Sequence, residues 1–136
     1  MTDEPLRSGT LPPLSSEMLI AAAADLRNAG QWLEYGTIPP REHSVAAPLA
    51  LDLLDHVVPV VQHLATFADG LGPSLRASLT EYEVFEDDET RDPVVSVDQA
   101  EPEFARAGRL LREAAEALAV AKKAIGGQSH DGLRDA

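Results

Sequence analysis

The chain has 136 residues, a formal net charge of −12, no cysteine and only 4% aromatic residues. That length fits one domain with a core of its own. The missing thiols exclude disulfides, thiolate metal sites and cysteine nucleophiles, and the charge repels nucleic-acid phosphates and anionic lipid while suiting a basic protein partner.

Alanine and leucine dominate the apolar residues, which favours closely packed helices over a β-sandwich. The expected fold is all-α: an up-down bundle of about four helices over residues 15–126, with a long central helix and an acidic loop. A flexible arm, residues 1–14, precedes it; this stretch holds three prolines, one glycine and no periodic apolar face. A disordered tail, residues 127–136, follows.

The first helix is predicted from Ser15 or Ser16, either of which can cap free backbone N–H groups, to about Tyr35, with Gly36 as terminator. Leu19, Ala22, Leu26, Ala29 and Leu33 form a heptad seam alternating leucine with alanine. Trp32 and Tyr35 stand at its end as candidate anchors for the following loop, or as a binding hot spot. Residues 36–44 read as a loop stiffened by Pro39 and Pro40.

A second, central helix is predicted to open between Ser44 and Pro48. Ala50, Leu53, Val57, Val60, Leu64, Phe67 and Leu71 make one apolar stripe; Leu54, Val58, Val61, Ala65 and Ala68 make another beside it. So wide a face calls for two neighbours, and Pro59 predicts a kink. Gly70 and Gly72-Pro73 mark a break before a short third helix, about Pro73 to Glu83, with a run nearly continuous with the second helix as the alternative. Residues 81–92 carry seven acids against Arg91. Pro93 to Val97 read as an extended connector. The last helix is predicted from Ser96 or Asp98 to Ile125, ending at Gly126-Gly127, with a seam of Phe104, Ala107, Leu111, Ala114, Leu118, Ala121 and Ile125.

Catalytic chemistry finds no foothold: there is no Gly-x-Ser-x-Gly elbow and no phosphate-binding glycine loop. His56 and His63 are two helical turns apart, about 10.5 Å, too far to share one ion, so a polar edge with an Asp52–His56 pair is expected and no metal or cofactor. The acids at 86–89 lack the alternating ligands and glycine of a calcium loop. They read instead as an exposed surface for a partner, and Glu86, Asp87, Asp88, Glu89, Tyr82 and Trp32 are the candidate contact residues.

Residues 16–89 resemble the actinobacterial type VII secretion substrates of the Trp-x-Gly kind, which are small acidic helical hairpins. Trp32 lies near the first interhelical turn, and Tyr82-Glu83-Val84-Phe85-Glu86 supplies a Tyr-x-x-x-Glu signal. The turn reads Trp32-Leu33-Glu34-Tyr35-Gly36 in place of Trp-x-Gly, and a further helix follows the signal. The resemblance implies that Tyr82 and Glu86 direct export, with a similar hairpin and a secretion ATPase as partners.

The expected function is a non-enzymatic helical protein–protein interaction module whose acidic loop contacts a partner, with a second copy of the chain, in a homodimer, as one candidate partner. The alternatives are a type VII substrate-like protein and an acidic inhibitor, a DNA-mimic or antitoxin-like regulator of a basic protein. Met1 to Pro13 lack a signal-peptide pattern, and Asp52, Asp55, His56, Gln62 and His63 interrupt the longest apolar stretch, so no membrane span is expected. A cytoplasmic location is expected, with secretion without a cleavable signal as the alternative.

Overall fold

A computed structural model describes residues 14–38, 44–129 and 131. Among these the protein is all-helical: α1 spans Ser16–Thr37, α2 Ala47–Glu81 and α3 Pro93–Ile125. The chain divides into two compact units, Met1–Ser44 containing α1 and Val45–Ala136 containing α2 and α3. Most of the predicted arm, the middle of the 36–44 loop and part of the predicted tail lie outside the described residues. No described helix is long and apolar enough to cross a membrane.

α1 starts where Ser15 caps it: the Met18 N–H donates to Ser15 Oγ at 3.3 Å, and Glu17 sits in the first turn. The helix runs through Gly36 to Thr37, whose hydroxyl donates to the Leu33 carbonyl at 2.7 Å. None of its residues is buried.

Among the described residues three helices stand where about four were expected, because the predicted second and third are one. α2 is a single 35-residue helix that continues through Pro59, Gly70, Gly72 and Pro73. Propensity marks Gly72-Pro73 as a breaker, but packing overrides it. Gly72 is buried against Glu101 of α3, whose Cγ would lie 3.1 Å from a Cβ at that site. One turn on, Arg76 pairs with Asp98 and Glu101. The helix therefore gains contacts on α3 at the point where its backbone is weakest.

The start of α3 also differs from expectation. Pro93-Val94-Val95-Ser96 are its first turn, not an extended connector. Asp92 is the cap: its Oδ1 accepts from the Val94 N–H at 2.9 Å, and its carbonyl accepts from the Val95 and Ser96 N–H groups. Pro93 takes the first helical position, where a missing N–H costs nothing. Val97, 9% exposed, then anchors the turn.

α2 and α3 form an antiparallel hairpin closed by residues 82–92. Its buried seam consists of small residues: Ala65, Ala68 and Gly72 on α2, and Gly108 and Ala115 with Val97 on α3. The large α3 residues Phe104, Leu111, Leu118 and Ile125 recur every seven residues beside that seam and are half-buried. The expected small partners are shifted, however. Gly108 and Ala115 face α2, whereas Ala114 and Ala121 are exposed and Ala107 is half-buried. On α2 the fully buried residues Ala65 and Ala68 belong to the second apolar stripe; of the first, Ala50, Leu53, Val57, Leu64 and Leu71 are half-buried, whereas Val60 and Phe67 are exposed, Phe67 at 60%.

Ion pairs line one edge of this seam. Lys122 pairs with Asp55, Arg112 with Asp69, and Arg76 with Asp98 and Glu101. Hydrogen bonds from Arg76 to Asp98 and Glu101, and from Arg112 to Asp69, hold both guanidinium pKa values above their ordinary level. Each pair is substantially solvated, so together they set the register of the two helices more than they stabilise them.

Candidate partner-binding surface

The closed end of the hairpin gathers most of the sequence-predicted contact residues. Tyr82 caps α2, its N–H donating to the Ser78 carbonyl at 3.0 Å, and residues 83–86 continue without regular structure. Tyr82 and Phe85 are both exposed, Phe85 at 80%. Sequence reasoning missed Phe85. Its signal was available, because a phenylalanine inside an acidic run has no helical face on which to be buried.

The acids of the loop divide into two groups. Glu86, Asp88 and Asp92 are engaged in shaping it. Ser96 Oγ donates to Glu86 Oε1, tying the loop to the first turn of α3. Asp88 Oδ1 accepts from both the N–H and the hydroxyl of Thr90, at 3.0 and 2.6 Å, closing a tight turn that the Arg91 N–H to Asp88 carbonyl bond completes. Asp92 caps α3. By contrast Glu81, Glu83, Asp87 and Glu89 are exposed and have no cation or hydrogen-bond partner among the described residues. The loop thus has an internal scaffold of three acids and an outward charge carried by the other four.

The Thr90 hydroxyl and then the Thr90 N–H lower the Asp88 pKa below its ordinary value. A carboxylate depressed in the folded state contributes stability that is complete above the unfolded carboxylate range. That stability is lost as pH falls through the depressed folded value. Thr90→Val removes the hydroxyl donor, so the Asp88 carboxyl should titrate at higher pH in the variant. Carboxyl-detected NMR titration checks this, and an unchanged Asp88 midpoint would contradict the turn described above.

Trp32 lies on α1, 79% exposed, and Tyr35 is exposed as well; the middle of the loop they were expected to anchor lies outside the described residues. His56 and His63 are exposed on α2, and neither a hydrogen bond nor an ion pair joins Asp52 to His56. No group of three or more metal-ligating side chains occurs among the described residues. An open depression of about 590 Å³ lies at the other end of the hairpin between Leu51, Asp55, Ala119, Lys122, Lys123 and Gly126, and Asp55 and Lys122 within it pair with each other.

No protein-family model, curated protein or solved structure matches the chain.

Proposed function

We propose that this chain is a non-enzymatic protein-binding module whose hairpin presents an acidic, aromatic loop to a basic partner. The observation that carries this reading is the outward face of residues 81–89. Exposed Tyr82 and Phe85 stand beside four exposed carboxylates that have no partner among the described residues, on a loop that its other acids hold in shape. Aromatic side chains give large contact area at low entropic cost, which is why they dominate binding hot spots. The surrounding carboxylates steer a cationic surface towards them.

The test is affinity capture by the immobilised full chain from an extract of its native host. A second chain carries Tyr82→Ala, Phe85→Ala, Asp87→Asn and Glu89→Gln. The expected result is a basic protein retained by the wild type, released by raised salt and absent with the variant. Equal capture by both chains discards the loop as the contact.

Export as a type VII substrate-like protein is the second reading, supported by Tyr82 standing exposed directly after a long helix. Tyr82→Ala should then abolish secretion while leaving helicity intact; undiminished export argues against it.

A further inference from the structure

The α2–α3 hairpin is a layer two helices wide with unlike faces. In a hairpin wound at about 3.5 residues per turn, positions seven apart share one side of the helix. Asp55, Asp69 and Arg76 on α2, with Asp98 and Arg112 on α3, occupy such positions, and their pairs define one face. Across the buried seam the next positions on α2 are Val57, Leu64 and Leu71, with Val60 and Phe67 beyond them. On α3 they are Ala100, Ala107, Ala114 and Ala121. This second face has bulky aliphatic and aromatic side chains on one helix and a stripe of four alanines on the other, and exposed Glu103 and Leu110 flank that stripe as Val60 and Phe67 flank the bulky one. Val60, Phe67, Ala114 and Ala121 are exposed on it.

From this we infer that the apolar face of the hairpin is the interface for a second copy of the chain. The bulky α2 stripe of each copy packs on the alanine stripe of α3 in the other. The face is self-complementary in size, as a two-fold interface requires: Val57, Leu64 and Leu71 of each copy meet the stripe of Ala100, Ala107, Ala114 and Ala121 in its mate. It measures roughly 35 Å by 20 Å, or ~700 Å² per copy from helix rise and diameter, against the ~800 Å² per partner of a standard stable interface. It also buries no charged group of the ladder, so association of two strongly acidic chains carries no desolvated carboxylate at its centre. The product is an antiparallel four-helix bundle. This surface is separate from the acidic loop, and the reading of that loop does not depend on it.

The experiment is sedimentation equilibrium of the full chain from low micromolar to near-millimolar concentration. The wild type is compared with Ala114→Arg and with Phe67→Ala. Position 114 is exposed in the hairpin, so Ala114→Arg should keep the wild-type circular dichroism spectrum and thermal midpoint at low concentration. The expected result is a dimeric wild type, with a dissociation constant weakened about thirtyfold or more by Ala114→Arg, the scale of losing a central contact. Phe67→Ala, which introduces no charge, should weaken it in the same direction. A strictly monomeric wild type overturns the inference and leaves the face to another segment of the chain or a different protein. A dimer indifferent to both substitutions overturns it too, by placing self-association elsewhere.

Discussion

Leucine in place of Ala115 should destabilise the hairpin by about 1–3 kcal/mol, whereas leucine at the adjacent Ala114 should change its stability by less than about 0.5 kcal/mol. The two substitutions are chemically identical, and alanine and leucine have similar helix propensity. Only their direction around the helix differs. Ala115 is 3% exposed on the seam, and the antiparallel register that sets Gly72 on Glu101 and Gly108 on Ala65 brings it opposite half-buried Val58 of α2. Three added carbons there must push the helices apart or force strained rotamers. Ala114 lies one residue, about 100°, round the helix and is exposed. Urea unfolding of dilute protein, compared at matched slope, checks the pair. Equal costs at 114 and 115 would mean that the seam is not where the burial places it.

That contrast also marks how far the sequence could be read. The seven-residue recurrence of Phe104, Leu111, Leu118 and Ile125 identified the packing side of the last helix, since large apolar residues at a fixed angle have few alternatives to burial. It did not decide which small residue sits beside them, because alanines occur at both flanking positions. The signal for the true seam was the glycine. Gly108 in mid-helix is costly unless something close requires it, and counting seven from it reaches Glu101, Ala115 and Lys122, all at least half-buried. Helix ends were legible where a side chain makes the cap, as at Ser15. They were misjudged where packing outvoted a breaker, as at Gly72-Pro73, or where a cap turned an apparently extended stretch into a first turn, as at Asp92. The acidic loop was visible as composition only. The division of labour between Asp88, which closes a turn, and Asp87, which points outward, depends on loop geometry that no periodicity encodes.

Gly108→Leu should cost about 3 kcal/mol, at the upper end of overpacking penalties, because one of its obstacles is backbone. A Cβ at this position would lie 3.2 Å from the Ala65 carbonyl oxygen and 2.8 Å from Asp69 Cγ, and still closer to Asp69 Oδ1. The Asp69 carboxylate can rotate away, at the expense of its pair with Arg112. The Ala65 carbonyl can move only with α2 itself. These obstacles separate in a double-mutant cycle. Gly108→Ala gains about 1 kcal/mol of helix propensity, and in the wild-type background the displaced Asp69 offsets that gain. With Asp69→Ala the side-chain obstacle is gone, so Gly108→Ala should become more favourable than in the wild type, while Gly108→Leu stays strongly destabilising against the Ala65 carbonyl. Thermal midpoints of the four Gly108/Asp69 alanine combinations, with Gly108→Leu in both backgrounds, read this directly. If Gly108→Ala has the same effect whether or not Asp69 is present, the two residues do not meet and the close crossing of α2 and α3 at Gly108 is wrong.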